Sequence, residues 1–262
     1  MTISGEHQHI INLIKSIIMN VETTITQLEK LKLTGMANVY KAMSNLPVNE
    51  RPDLDQFMAQ LAEAEQLDRQ NKRTIMYLKT SKLRYQASLE EIHCSTERNL
   101  NKQTLLSLAD CSFIKRAENL LITGKTGSGK SYLACAIGRQ ACYMGIRTIY
   151  LAMNKFIEKV ALSKVDGTFI KLINQIEKHD LIIMDDFGLQ PLDQNTRLAL
   201  LQILEDCYQR KTVIVTSQLP VAKWYDYIGE PTLADAIMDR LLSNANRIEL
   251  KGDSMRKRKS IN

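Results

Sequence analysis

An α/β fold, with a five-stranded parallel sheet flanked by helices and preceded by a small all-α N-terminal domain, is what this sequence predicts. Three observations carry the prediction. Only Gly5 and Gly35 precede residue 124, whereas the other nine glycines lie at or after it, so helical grammar gives way to turn-rich grammar near mid-chain. From Asn119 onward, short apolar runs alternate with helical patterns, as expected of strands joined by crossover helices. A glycine-rich turn, Gly124 to Gly129, sits between the first of those runs and the helical pattern after it. These features divide the chain into a helical domain over 1–87 and an α/β domain over 88–262.

The elements follow in order. Residues 1 to about 20 read as a helix with Ile10, Ile11, Ile14, Ile17 and Ile18 on one stripe, able to pack on its own domain or on a neighbour. After a break at Thr34-Gly35, Met36, Val39, Met43 and Leu46 recur at helical spacing. Pro47 and Pro52 mark a loop. Asp53 is placed to cap a long helix with Phe57, Leu61, Ala64 and Leu67 on one face, running to about Tyr85. A connector and a short helix over 102–109 follow. Strands are expected near 119–123, 148–152, 181–185, 212–216 and 246–250. The helices between and after them are expected near 129–144, 153–163, 168–178, 193–209 and 232–243.

Composition narrows the class. The net charge is +6 and the apolar fraction is 44%, enough for a packed core. Five cysteines form no Cys-x-x-Cys pair, and no secretory leader is visible, which points to free thiols in the cytoplasm. No apolar run has the length of a membrane span. Charge is segregated: 53–68 holds five acids and no base, and 69–89 holds Arg69, Lys72, Arg73, Lys79, Lys82 and Arg84 and no acid. That pattern suggests a polyanionic partner.

The turn itself, Gly124-Lys125-Thr126-Gly127-Ser128-Gly129-Lys130-Ser131, fits G-x-x-x-x-G-K-[ST] between a strand and a helix. Glycines let backbone amides curl around phosphates, and the helix N-terminus adds partial positive charge. Lys130 is expected at the β and γ phosphates and Ser131 on Mg²⁺; with Tyr132 the ATP-binding segment spans 124–132. Leu181 to Asp186 supplies the second half, a buried strand delivering Asp185 to the metal and Asp186 to the attacking water. One carboxylate for metal and one for water describe a hydrolase. Val213 to Gln218 is a further strand with a polar end, so Thr216 or Gln218 is a candidate contact for the γ-phosphate or the water. Arg240 lies on the last helix. By spacing alone a surface ion pair with Asp235 or Asp239 is the plainer reading, and a finger reaching a neighbouring subunit is the sharper one.

The ordered set GKTGSGKS, LIIMDDFG, IVTSQLP, MDRLL and LKGDSMRKR resembles the AAA+ ATPases, and within them the DnaC/IstB branch. KLTGMANVYKAM and LDQFMAQLAEAEQLDRQNKR resemble the helical segments before that core, so the likeness runs from about Leu28 to Arg258. It implies an insertion-sequence helper ATPase that binds duplex DNA and ATP together, oligomerises, remodels target DNA and recruits or stimulates a transposase. By position it makes Gln218 sensor I, Arg240 an arginine finger acting in trans, and Arg256 a sensor II arginine. It also assigns DNA handling and assembly to the helical region. Several positions depart from the family pattern. Lys125 stands where proline is common, and Ser131 replaces threonine but keeps the hydroxyl. Asp186 stands where many relatives have the longer glutamate, which implies slow hydrolysis. The 12 residues after Leu250 leave no room for a C-terminal lid domain to carry Arg256.

Residues 69–89 join six bases with Tyr77 and Tyr85. Such a stretch can neutralise phosphates without reading bases, and a solvated charged face is its commonest alternative. The Arg256 to Lys259 tail either adds phosphate contacts or is simply solvated. Rival functions are a DnaC-type replicative helicase loader, a small-molecule P-loop kinase and a nucleotide-gated binding module with little turnover.

Overall fold

The structure, a computed structural model, describes residues 20–252, 254 and 255. The helix expected over 1 to about 20 and Arg256 lie outside the described residues. The chain divides into two compact units, 1–73 and 74–262. This is earlier than the expected boundary at 87, because the last two turns of one helix belong to the second unit: Tyr77 and Ser81 are buried there, and Arg147 donates to the Tyr77 hydroxyl at 3.2 Å.

In the first unit, α1 is described over 20–30 and ends at Lys32 with φ 59°. Helix α2 (Thr34–Ser44) starts without a side-chain cap of its own. Glu65 of α3 (Leu54–Ser81) supplies one, its carboxylate accepting from the Gly35 amide at 2.9 Å and the Met36 amide at 3.3 Å. Gly35 allows this approach, since a Cβ there would lie 2.4 Å from the Ala64 carbonyl oxygen. Asp53 accepts from the Gln56 amide at 2.8 Å and caps α3 as expected. The helix stops at Ser81, short of Tyr85, because Lys82 turns left-handed at φ 54°.

The second unit is built on five parallel strands: β1 (Asn119–Gly124), β2 (Thr148–Ala152), β3 (Leu181–Phe187), β4 (Thr212–Ser217) and β5 (Ala245–Leu250), in spatial order β2-β3-β4-β1-β5. Alternating side chains feed two cores. Leu120, Ile122, Ile183 and Ile214 face one, with α4 (Lys102–Ala109), α5 (Ser112–Lys115) and α6 (Lys130–Tyr143). Leu121, Ile182, Met184 and Val215 face the other, with α7 (Met153–Val165), α8 (Phe169–Glu177), α9 (Gln194–Cys207), α10 (Trp224–Ile228) and α11 (Pro231–Leu242). Crossover from β1 runs outward to β2, whereas later crossovers run back. Right-handed connection therefore puts α6 on the face opposite the other crossover helices. The order thus reverses between β1 and β4, where a crevice opens at the C-terminal strand ends. The short α5 and α10 were not foreseen. Among the described residues no helix is long and apolar enough to cross a membrane.

Candidate nucleotide site

The turn after β1 sits at that crevice. Gly124, Gly127 and Gly129 have φ of 146°, 81° and 92°, values that L side chains rarely adopt. A Cβ on Gly124 would lie 2.3 Å from the Leu250 carbonyl oxygen, and one on Gly127 would lie 2.2 Å from Ser254 Oγ. The chain after β5 is therefore packed against the turn, and Met255 N donates to Gly127 O at 2.9 Å. Gly129 is the N-cap of α6 and carries no side chain to block its first amides. Lys130 is buried, with Nζ donating to Gly124 O at 2.8 Å and Lys125 O at 3.0 Å. Ser128 Oγ is buried and lacks a hydrogen-bond partner among the described residues. A phosphate oxygen would satisfy it. Lys125 and Thr126 are exposed, and Ser131 is half-buried in the first turn of α6. Tyr132 turns away: its hydroxyl donates to Glu91, and its ring lies 6.0 Å from that of Tyr85.

The acids stand at the end of β3. Asp185 is fully buried; its carboxylate accepts from the hydroxyls of Tyr150 on β2 and Thr216 on β4. Asp186 is half-buried in the left-handed region at φ 62°, and its amide donates to Thr216 Oγ1 at 3.2 Å. Burial, then the adjacent Asp185 charge, raises its carboxyl above the ordinary range. At the end of β4, Gln218 accepts from Thr126 Oγ1 at 2.7 Å. Thr216 is thus the hinge between the acids, and Gln218 ties the same strand to the turn.

Two participants had no sequence signal. Arg98 is buried; it donates to Ser128 O at 2.8 Å and to His93 O, bracing the turn from below. Arg84, grouped by sequence with the bases expected to meet DNA, instead brings Nη1 to 3.3 Å from Asp186 Oδ2 and 3.7 Å from Asp185 Oδ2. Tyr150 could have been noticed as a polar ring in an otherwise apolar strand.

Arg240 lies elsewhere. Asn119, which opens β1, donates through Nδ2 to Arg240 O at 3.0 Å. The glycine-rich turn follows the other end of that six-residue strand, about 20 Å away at the usual rise. The Arg240 side chain is three-quarters buried; its guanidinium pairs with Glu205, donates to Ala236 O at 2.8 Å and lies 3.9 Å from Asp239. The ion pair with Asp239 weighed from spacing is therefore long; Glu205 is the closer partner.

Of the other bases, Arg69 pairs with Glu65 at 2.8 Å and Lys72 with Asp68 at 2.7 Å. Arg73, Lys79 and Lys82 are exposed. Beside Asp186 a cleft of about 700 Å³ is lined by Lys82, Arg84, Lys155 and Lys159 together with Tyr150 and Asn154.

Comparison with known proteins agrees with this geometry. The family described as IstB-like ATP binding protein matches residues 26–262. An insertion sequence ATP-binding protein of Sinorhizobium fredii (strain NBRC 101917 / NGR234) is 38% identical over 91% of this chain and 98% of its own length. The IS1162 ATP-binding protein of Pseudomonas fluorescens is 36% identical over 77% of this chain and 88% of its own. Among solved structures, DnaI superposes with a TM-score of 0.55 at 20% identity, covering 63% of this chain and 92% of that one. The DnaC helicase loader gives 0.53 at 19%, covering 64% and 98%. These two likenesses show a shared fold and no more. The nearly full-length kinship decides membership: the chain belongs to the IstB-like ATP binding proteins.

Proposed function

We propose that this protein is an insertion-sequence helper ATPase that assembles on duplex DNA in an ATP-dependent manner and assists a transposase. The observation that carries the reading is one continuous network. Gln218 holds the phosphate turn through Thr126, and Thr216, two residues earlier on the same strand, holds both Asp185 and Asp186. The glycine-rich turn and both acids are thereby tied to β4 and the residue after it. In this reading Lys130 and the amides of 124–131 bind the phosphates. Ser131 and Asp185 would hold Mg²⁺, which would neutralise phosphate charge. Asp185 still has lone pairs beyond those used by Tyr150 and Thr216. Asp186 takes the proton of a water that attacks the γ-phosphorus, and ADP leaves with the electrons of the broken bond. Adjacent acids of this kind favour hydrolysis over transfer to a small molecule.

Arg240 completes the site of a neighbour. Within one subunit the length of β1 keeps it from the phosphates, and leaving Glu205 would free its guanidinium for a γ-phosphate presented by another copy. DNA is gripped by Arg73, Lys79 and Lys82 along and just beyond α3, and by Lys155 and Lys159 at the cleft. No base-reading motif accompanies them, so specificity is weak. Kinship across nearly the whole length of insertion-sequence relatives favours this over the helicase-loader alternative, whose support is fold alone. The test is anisotropy of a labelled duplex over a salt series. Neutralising Arg73, Lys79, Lys82, Lys155 and Lys159 should flatten the log–log salt slope by about 0.9 per lost phosphate contact. An unchanged slope would place DNA elsewhere.

A further inference from the structure

We propose that Arg84 is a built-in brake on hydrolysis, released when a nucleic-acid phosphate enters the basic cleft beside Asp186. The proposal rests on the DNA reading above. Arg84 Nη1 lies 3.3 Å from Asp186 Oδ2 and 3.7 Å from Asp185 Oδ2. A guanidinium there occupies the carboxylate oxygen that must hold the attacking water. The same guanidinium lines the cleft with Lys82, Lys155 and Lys159, and among the lining residues Asp186 is the single acid. Four cations against one anion leave the cleft at +3. A phosphodiester held by the three lysines offers Arg84 a competing, bidentate anion.

The exchange is local. The Arg84 side chain is 45% exposed, so its pairing is screened by solvent and readily traded. Its backbone is pinned on both sides: Leu83 packs against Gly138 of α6, and Ala87 is fully buried. Only the side chain need move. Arg84 thus connects occupancy of the cleft to the access of water to the acid, which explains why a base belonging to the positively charged stretch is aimed at the ATP site.

The experiment measures phosphate release by the full chain with Mg²⁺ and ATP, with and without duplex, alongside duplex binding by anisotropy. Arg84→Ala should raise the DNA-free rate about threefold or more and lose further stimulation by duplex. Arg84→Lys keeps the cation and should stay slow without DNA. Should Arg84→Ala fail to fold, Arg84→Gln serves in its place. A DNA-free rate that is unchanged or lower in Arg84→Ala, while duplex still binds and stimulates the wild type, would overturn the brake. Wild-type protein that binds no duplex would overturn the DNA reading on which the trigger depends.

Discussion

Asp185 and Asp186 are neighbours in sequence, yet only the replacement of Asp185 by asparagine should destabilise the fold. Asp185 is fully buried and accepts two hydroxyl hydrogen bonds, from Tyr150 and Thr216. Each is charge-assisted and contributes about 1.5–3 kcal/mol. Asparagine keeps one carbonyl oxygen but turns an amide N–H₂ toward the other hydroxyl, whose own hydrogen then lacks an acceptor. Arg84, half exposed at 3.7 Å, adds little. The expected cost of Asp185→Asn is therefore about 2–4 kcal/mol, a fall in Tm of about 5–12 °C for a unit of this size. Asp186 accepts no buried hydroxyl, and burial and the Asp185 charge hold its carboxyl above the usual range. A raised folded pKa gives stability that is full below the unfolded value and lost as pH rises through the folded one. At neutral pH the ionised group is a net cost, and Asp186→Asn should be neutral or stabilise by up to about 1 kcal/mol. Thermal and urea unfolding without nucleotide at pH 7 decides between them. Equal destabilisation by both substitutions, or none by Asp185→Asn, would refute the assignment of the buried network to Asp185.

Two further outcomes are expected. Glu65 is held below the ordinary carboxylate range by the Arg69 hydrogen bond first and by the Met36 and Gly35 amides, against the opposing effect of burial. A depressed folded pKa gives stability present above the unfolded value and lost as pH falls, so the Tm gap between wild type and Glu65→Gln should narrow between pH 6 and about pH 4. Burial pushes the thiols of Cys111, Cys135 and Cys207 up to about 11 and raises that of Cys142. Cys94 is half-buried, so a thiol reagent at pH 8 should label Cys94 in the native protein and the other four only on unfolding.

Much of the fold was legible because its signals are local. Each strand was placed to within about two residues, since short runs with two to four apolar residues between turn signals leave little else to form beside helical repeats. Helix α4 matched its expected limits, its start marked by Asn101, which accepts from the Thr104 amide. What escaped depends on distance. The Arg84 contact joins residues 102 positions apart, and no spacing rule reaches that far. Arg98 likewise acts through backbone carbonyls that carry no side-chain signature. The pairing of Arg69 with Glu65 and Lys72 with Asp68 was readable at i, i+4, but counting charge in blocks hid it. The unit boundary moved because α3 is one continuous helix that serves both units.

The central claim is that one subunit binds the triphosphate and a neighbour's Arg240 completes the site, so that nucleotide governs assembly on DNA. Light scattering of the full chain with duplex, in ATP with Mg²⁺ and then in ADP, tests it directly. Wild type should form large assemblies in ATP and small ones in ADP, and Arg240→Ala should remain small in both. A single subunit mass in ATP and saturating duplex, or Arg240→Ala assemblies as large as wild type, would contradict it.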